Sequence, residues 1–272
     1  MIKQFLEHNA ILRKLCIRMR NKLKIEHNEC HLESIQNSSN TITMHGTGNS
    51  LSMESHSMFQ ECSVQINGTG NRITIGSDTA LYGETNMVIH ISGDNNEIII
   101  GDRVSLRGVS FFIRGNDNRI EIGNDCSAVY AQYHIEQDSN EICIGNGTTM
   151  HGRGHQAIHM AADEGSKIII EEDCMLAHST QIRSTDSHSI VDLEGNRLNP
   201  AKDIVIGPHC WIGLQCIILK GTTIPSHCVV AAGSVCSKVY QEQNCLIAGN
   251  PAKIVKYGID WDRKFIPVKD GV

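Results

Sequence analysis

Hydrophobic residues recur at every sixth position between residues 206 and 234. The aliphatic positions are Ile206, Ile212, Ile218, Ile224 and Val230. A small residue follows each of them by four places, at Cys210, Cys216, Thr222, Cys228 and Ser234. A period of six fits neither the repeat of a helix nor the alternation of a simple strand. It predicts an all-β solenoid, in which each six-residue unit forms one short flat side and then turns a corner.

A looser form of this repeat covers the chain from His45 onwards. Its segments begin at Asn49, Asn71, Asn96, Asn118, Asn140, Ser166 and Lys202. Glycine, aspartate and asparagine precede most of these segments, as is typical of tight corners with left-handed backbone. We expect the asparagines of stacked corners to hydrogen-bond from coil to coil. The two longest gaps predict loops at residues 150–165 and 182–203, inside a solenoid that spans residues 45–240.

The residue after each corner alternates in charge along the chain. The series is Arg72, Glu97, Arg119, Glu141, Lys167 and Asp203. In-register stacking would place each charge about 4.8 Å from an opposite charge above and below it. The alternation therefore supports the alignment of the coils.

The two ends of the chain do not follow the repeat. Residues 1 to about 25 have apolar side chains at three- and four-residue spacings and a basic opposite face, which predicts an amphipathic helix within an N-terminal cap over residues 1–44. Such a helix either packs on the solenoid or a sister subunit, or lies weakly on a membrane surface. Residues 241–272 are predicted to be a C-terminal extension.

Net charge, cysteine content and the lengths of apolar runs limit the partners and the cellular location of the protein. A net charge of -6 argues against a nucleic-acid partner. The eleven cysteines are odd in number and lack C-x-x-C spacing, so reduced, structural thiols in a cytoplasmic protein are expected. No apolar run reaches membrane-spanning length, and no signal-peptide core is present. The basic N-terminal helix would allow association with the inner face of the membrane.

Several motifs together identify a family. The stretch RSTDSHSIVDLEGNRLNPAKDIVIGPHCWIG is followed by ILKGTTIP, AAGSV, AGNPAKIVK and GIDWDR. This set resembles the left-handed β-helix hexapeptide acyltransferases, in particular those that O-acetylate bacterial capsule and other surface polysaccharides. The resemblance covers residues 166–265. It implies a left-handed parallel β-helix, acetyl-CoA as co-substrate, a saccharide acceptor, no metal, and a homotrimer with active sites between subunits.

The resemblance also implies roles for individual residues. His188 in the Asp-x-His motif corresponds to the catalytic histidine, with Asp186 beside it, and Trp211 to the tryptophan beside the thioester. His178 and Arg183 are candidates for contacting the acceptor. The candidate cofactor contacts are Ser187, Gly213, Ala231, Ala232, Gly233, Ser234, Lys238, Asn250, Pro251 and Lys253. Pro225 stands where the family usually has glycine.

The chemistry of acetyl transfer agrees with these residue types. A hydroxyl that attacks a thioester needs a base, and a histidine with a pKa near 6.5 suits that role at neutral pH. Asp186 or Asp192 is positioned in sequence to orient the imidazole. The developing oxyanion needs a fixed donor, either a backbone N–H or the Trp211 indole. Lys238, Lys253 and Lys256 suit the phosphates of CoA.

Two other functions use the same type of coil. A γ-class carbonic anhydrase would need three histidines at a subunit boundary, for which His151, His155 and His178 are candidates. His151, His155 and His159 are also spaced by four, but Gly152 and Gly154 disfavour a helix that would align them. A non-catalytic scaffold would keep the coil without the chemistry. The Asp-x-His loop leading into Trp211 favours the acetyltransferase.

Overall fold

The computed structural model describes residues 22–32, 36–83, 87–154 and 156–268. Most of the predicted N-terminal helix therefore lies outside the described residues. Its last part is a strand, since Lys22–Lys24 pairs in parallel with Thr41–Thr43.

The described residues form three sheets, which we name A, B and C. The ten strands of sheet A are Lys22–Lys24, Thr41–His45, Ser63–Asn67, Val88–Ser92, Ser110–Arg114, Ala131–Glu136, Ile158–Ala162, Gln181–Arg183, Ile217–Leu219 and Val235–Cys236. The nine strands of sheet B are Glu29–Leu32, Ser50–Met53, Arg72–Ile75, Glu97–Ile100, Arg119–Ile122, Glu141–Ile144, Lys167–Ile170, Ile204–Ile206 and Thr223–Ile224. The eleven strands of sheet C are Gln36–Ser38, Met58–Gln60, Ala80–Tyr82, Ser105–Arg107, Ser127–Val129, Thr149–His151, Met175–Ala177, Trp211–Ile212, Val229–Val230, Cys245–Gly249 and Ala252–Tyr257.

Each coil passes from sheet A to B to C and then returns to A one strand further on. Neighbouring strands within a sheet are parallel, except for the last pair in sheet C. The predicted parallel β-solenoid is therefore confirmed. Its three corners, which we call AB, BC and CA, are the places from which loops can leave the wall.

The six-residue period places its two special positions in the interior. The aliphatic series from Ile206 to Val230 is fully buried, and so are the small residues from Cys210 to Ser234. Aliphatic side chains fill the coil because alternate strand residues point inward. The ten cysteines among the described residues are all free thiols, as the sequence analysis expected.

The solenoid begins earlier than predicted. Strands at Lys22–Lys24, Glu29–Leu32, Gln36–Ser38 and Thr41–His45 belong to the three sheets, so residues 22–32 and 36–44 are coil rather than a helical cap. The regular isoleucine repeat that marks later coils is weak here. Leu23 and Leu32 occupy the inward positions and are only partly buried, although they pack against the core.

The two predicted loops differ from each other in the structure. Ile158–Ala162 is a strand of sheet A, so the excursion predicted over residues 150–165 shrinks to a short connection after His151. The second predicted loop is present in the structure. It leaves sheet A after Arg183 at the AB corner and returns to sheet B at Ile204.

A ladder of buried carboxamides runs along the AB corner. Asn49, Asn71, Asn96, Asn118 and Asn140 are each at most 1% exposed. The amide Nδ2 of each asparagine donates to Oδ1 of the asparagine in the preceding coil at 2.9–3.0 Å, starting from Asn28. The predicted asparagine stacking is confirmed, and it fixes the height of each coil relative to the next.

The ladder ends where the long loop begins. The backbone N–H of Ser166 donates to Oδ1 of Asn140 at 3.0 Å. The Ser166 hydroxyl in turn lies 2.6 Å from the hydroxyl of Ser184, the first residue of the loop. The same corner that stacks the asparagines therefore sets the starting point of the loop.

The alternating charges form ion pairs between coils. Arg72 Nε lies 3.7 Å from Glu97, and Glu97 also pairs with Arg119. Glu141 lies 3.9 Å from Arg119 and 2.8 Å from Lys167. Because these side chains are partly exposed, each pair contributes at most about 1 kcal/mol, and the row acts mainly on register.

The C-terminal extension closes sheet C with an antiparallel hairpin. Cys245–Gly249 adds in parallel to Val229–Val230, and Ala252–Tyr257 then runs back along it. The predicted turn at Gly249, Asn250 and Pro251 connects these two strands. Residues 258–268 continue as a segment without regular structure.

We predict that Asn118→Ala destabilises the solenoid by about 2–4 kcal/mol, because it removes several hydrogen bonds of about 1 kcal/mol each and leaves the buried backbone N–H of Asn140 and the partly buried carbonyl of Gln137 without this partner. Denaturant unfolding measures this change. Gln65→Ala, an exposed amide on a strand of sheet A, is the matched control. Equal stability of the two variants would contradict a structural role for the ladder.

Candidate active site

The loop over residues 184–203 forms a small hairpin. Val191 and Arg197 make an antiparallel bridge, and Leu198 N–H donates to the Ile190 carbonyl at 2.8 Å. Asp192 closes the tip by accepting from the backbone N–H groups of Glu194 and Asn196. Asp192 therefore stabilises its own turn, and its alternative role of orienting His188 has no contact to support it among the described residues.

Asn199 joins the two sides of the loop at its base. Its side chain is 7% exposed. Nδ2 donates to Asp186 Oδ2 at 2.7 Å and to the His188 carbonyl at 2.8 Å, while Oδ1 accepts from Ile190 N–H at 2.7 Å. One carboxamide thus fixes the backbone on both sides of His188.

Lys220 holds the same base from the next coil. Its ammonium pairs with Asp186 Oδ2 and donates to the Asn199 carbonyl at 3.1 Å. The hydrogen bonds from Lys220 and Asn199 lower the pKa of the Asp186 carboxyl. A carboxyl with a lowered pKa stabilises the fold above its unfolded pKa and loses that contribution as the pH falls through the folded pKa. The anchor is therefore intact at neutral pH.

Glu164 ties the loop to the preceding coil. Arg197 Nη2 lies 2.5 Å from Glu164 Oε1, and Ala201 N–H donates to Oε2 at 3.3 Å. The hydrogen bond from Arg197 lowers the pKa of Glu164. Together with Asn199 and Lys220, this pair holds the loop in one position against the wall.

His188 presents its side chain to solvent at this anchored site. Ser187 before it adopts a φ of 62° and receives a hydrogen bond from Arg183 Nη2 at 2.8 Å. Within the described ranges, the imidazole of His188 has no hydrogen-bond partner, and Asp186 bonds to Lys220 and Asn199 instead of the ring. The predicted direct contact between Asp186 and the imidazole is absent from this arrangement.

Trp211 lies at the start of its strand in sheet C, with 38% of its surface exposed. Its backbone N–H donates to the Cys228 carbonyl at 2.9 Å. The indole ring has Trp261 as a neighbour, with ring centroids 6.2 Å apart. Because the backbone N–H is engaged in the solenoid, the indole N–H is the donor that Trp211 retains.

Most predicted cofactor contacts lie around the CA corner of the last coils. Ala232 and Gly233 are exposed at this corner, and Ala231 is partly buried. Ser234 is 1% exposed, and its hydroxyl donates to the Ala231 carbonyl at 2.6 Å and accepts from Gly249 N–H. Ser234 is therefore an interior spacer between coils, and its contact with the cofactor stays a prediction.

Gly213 is also an interior position. A Cβ added there would lie 2.7 Å from Ala232 N and 2.8 Å from the Val230 carbonyl. The glycine is required for close stacking of two coils, and its contact with the cofactor stays a prediction. His178 lies one coil earlier at the same corner, where its carbonyl accepts from Gln215 N–H at 3.0 Å.

The predicted cofactor contacts near the C-terminal hairpin are exposed, and three of these residues are lysines that could pair with phosphate groups. Asn250 and Pro251 are exposed at the tip of the C-terminal hairpin. Lys238, Lys253 and Lys256 are exposed beside the last coils. Ammonium groups at these positions are available to phosphate oxygens without breaking any ion pair in the described residues.

One chain does not bring all the candidate residues together. Asp186, Ser187 and His188 lie at the AB corner, and Arg183 ends the strand just before it. Trp211 lies in sheet C, and residues 231–234 lie at the CA corner. The candidate base and the candidate cofactor contacts at residues 231–234 therefore occupy different corners of the same solenoid.

Sequence reasoning did not assign Asn199, Lys220, Glu164 or Arg197. Asn199 and Arg197 lie inside the motif that carries the resemblance, but nothing in the pattern shows what they contact. Lys220 and Asp186 are 34 positions apart. The length of the loop is the feature that could have indicated such anchors, because its two ends must meet at one corner and their backbone groups need polar partners there.

Comparison with known proteins identifies the family. The chain is 40% identical over 198 residues to a polysialic acid O-acetyltransferase of Neisseria meningitidis, covering 72% of this chain and 88% of that protein. It belongs to the left-handed β-helix O-acetyltransferases. A polysialic acid O-acetyltransferase of Escherichia coli O1:K1 / APEC is 36% identical over 97 residues, which is 35% of this chain and 31% of that protein.

A solved structure agrees with this relationship. The crystal structure of the polySia-specific acetyltransferase NeuO matches with a TM-score of 0.66 and 32% identity, over 74% of this chain and 88% of that one. No protein-family model matches the sequence. The protein is thus an O-acetyltransferase, as the motifs predicted.

The carbonic anhydrase alternative loses its support. His151 is exposed and His178 is half-buried, and neither belongs to a metal-ligating cluster among the described residues. His155 lies outside those residues. Burial, together with Arg183, lowers the pKa of His159 to about 4, so its ring is neutral.

In residues 22–32, 36–83, 87–154 and 156–268, no helix is long and apolar enough to cross a membrane.

We predict that Lys220→Met lowers kcat/KM about fivefold, because the loop loses one partly exposed ionic anchor of about 1 kcal/mol. Steady-state kinetics with acetyl-CoA and acceptor measure this change. Lys202→Met, an exposed lysine near the same corner, is the matched control and should retain full activity. If both variants behave like the wild type, Lys220 does not anchor the loop.

Proposed function

We propose that the protein transfers the acetyl group of acetyl-CoA to a hydroxyl of an acidic capsule-type polysaccharide that contains sialic acid. The observation that carries this proposal is the 40% identity to a polysialic acid O-acetyltransferase, over a region that includes the anchored His188 loop. The acceptor follows from the name of that relative. The ten free thiols favour a reducing compartment, so we propose the cytoplasm as the location.

His188 acts as the general base in this proposal. The acceptor hydroxyl attacks the thioester carbon while its proton passes to the free imidazole. The tetrahedral intermediate then collapses, the C–S bond breaks, and the imidazolium returns the proton to the CoA thiolate. Exposure and an unpartnered ring suit a residue that must exchange protons with substrate.

Asp186 supports the base indirectly. Its carboxylate is bound to Lys220 and Asn199, and Asn199 also holds the His188 carbonyl. Asp186 is therefore a positioning residue that keeps the loop backbone in place. Arg183 has a similar role through its bond to Ser187, and its remaining N–H groups are available to the carboxylate of an acidic acceptor.

Trp211 supplies the oxyanion donor. Its backbone N–H is engaged with Cys228, so the indole N–H is the group that can meet the charge on the thioester oxygen. The exposed Ala232 and Gly233 and the lysines beside the C-terminal hairpin bind the donor. CoA would lie along the last coils at the CA corner.

A homotrimer would complete the site. His188 and Trp211 lie on different sides of one chain, so a shared site needs the loop of one subunit against the wall of the next. The loop exposes four apolar side chains, with exposures from 52% to 103%: Ile190, Val191, Leu193 and Leu198. Exposed apolar clusters of this kind are typical of protein interfaces.

We predict that His188→Ala lowers kcat about 100- to 10,000-fold while the protein stays folded. The assay follows CoA release with sialic acid oligomers as acceptor, and NMR identifies the new acetyl ester. His151→Ala, an exposed histidine on sheet C, is the control. Wild-type rates for His188→Ala would reject the base, and no acceptor-dependent CoA release from the native enzyme would reject the acceptor class.

A second prediction tests the shared site. Light scattering should give three chains of 30.0 kDa. Co-expression of His188→Ala with Trp211→Ala, both inactive alone, should restore about a quarter of the sites, because random mixing pairs an intact loop with an intact wall at that frequency. Mixed assemblies that stay as inactive as the single variants would contradict a site formed by two subunits.

A further inference from the structure

Three potential metal ligands meet at the BC corner, away from the His188 loop. They are His209, His227 and Asp260, whose ligand atoms all lie within 4.8 Å of one another. Nε2 of His209 lies 3.5 Å from Asp260 Oδ1, and Nδ1 of His227 lies 3.1 Å from Asp260 Oδ2. Tetrahedral ligands of a first-row metal are separated by about 3.3 Å, so small side-chain rotations would close this set around one ion.

His209 has the orientation of a metal-binding histidine. Its Nδ1 lies 2.6 Å from Asp173 Oδ2, and because a carboxylate only accepts, this nitrogen carries the proton. Asp173 is itself held by Arg263, at 3.0 Å from Nη2. A carboxylate on one ring nitrogen that leaves the other nitrogen facing the ligand set is the usual outer shell of zinc-bound histidines.

The surroundings of Nε2 favour a cation at this point. The Trp261 carbonyl lies 3.1 Å from Nε2, and Asp260 Oδ1 faces the same atom. A donor or a cation opposite these oxygens is supplied either by a second proton on His209 or by a metal ion, and Asp260 Oδ1 also accepts from Trp261 N–H at 2.8 Å. A proton on His209 would be satisfied by one or two of these oxygens. The imidazole of His227 also converges on Asp260, and a metal ion explains this second contact better than a proton does.

We propose that His209, His227 and Asp260 bind a divalent transition metal that fastens the C-terminal segment to the solenoid. His209 and His227 come from adjacent coils, whereas Asp260 comes from the segment after the hairpin. The site is structural, since it is remote from the acetyl-transfer loop, and it does not depend on the proposed acceptor. Two nitrogen ligands and one carboxylate suit zinc, cobalt, nickel or copper rather than magnesium or calcium.

The fastened segment touches the cofactor wall. Trp261 is 9% exposed and stacks on His209 with ring centroids 4.6 Å apart. Its Nε1–H donates to the His209 carbonyl at 2.9 Å, and Trp211 is a further neighbour of its ring. A metal at this corner would therefore fix the ring that packs beside Trp211.

Sequence spacing could not reveal this site. The histidines belong to different coils, at the same position of consecutive repeats, and the carboxylate follows from a segment with no regular structure. Only the stacking of coils brings His209 and His227 to a ring separation of 4.9 Å.

The test uses untagged, full-length protein that has been stripped with EDTA and titrated with cobalt. We expect one cobalt ion per chain, with the visible spectrum of nitrogen and oxygen ligands, and displacement by zinc. Trp211 and Trp261 are the two tryptophans of the chain, so bound cobalt should quench most of the intrinsic fluorescence. Excess zinc should raise the Tm of the stripped protein by about 5 °C.

Two variants and one control make the assignment specific. His227→Gln and Asp260→Asn should each lose the bound ion, the quenching and the shift in Tm. His90→Gln removes a half-buried histidine from a distant coil and should retain all three. Cobalt–thiolate bands, binding that survives in both variants, or no stoichiometric binding by the native chain would each overturn the proposal. In the last case, protonated histidine alone holds the corner.

Discussion

A carboxamide that is buried away from water must bond to another polar group, and this requirement fixes the register of the coils from Asn28 to Asn140. At the AB corner each asparagine satisfies its amide with the asparagine of the preceding coil, from Asn28 to Asn140. A coil shifted along its neighbour would leave both amides unpaired, at a cost of several kcal/mol for the row. The ladder therefore sets one register for these coils.

The active-site loop depends on the same edge. The row of asparagines ends in Ser166, whose hydroxyl meets Ser184 at the point where the chain leaves the wall. Asn199 and Lys220 then hold the loop at its return, so His188 is displayed from a rigid base although it is exposed. The imidazole is the exposed part of this anchored segment.

The sequence predicts the regular parts of this protein well and the irregular parts poorly. The six-residue period, the corner asparagines and the alternating charges are all repeated, so each coil confirms the interpretation of the others. The first coils escape the sequence pattern because Leu23 and Leu32 stand where later coils have a regular isoleucine repeat. The long gap before Ser166 predicts a loop, although this gap contains the strand Ile158–Ala162.

The candidate site shows the same limit at single residues. Motifs mark His188 and Trp211 as candidates. Small residues at a corner serve equally as interior spacers and as openings for a ligand, so the sequence alone could not show that Ser234 and Gly213 are buried. Asn199 and Lys220 act through contacts across the loop, which no local spacing encodes.

The hairpin at the C-terminus has a consequence for how copies of this protein meet. A solenoid of parallel coils ends in open edges, each of which can add another coil in the same direction. In sheet C the last strand, Ala252–Tyr257, runs in reverse and carries Lys253 and Lys256 along its outer edge. An incoming strand would meet the exposed ammonium groups of Lys253 and Lys256 on this edge strand. This edge is therefore protected against end-to-end growth into fibres.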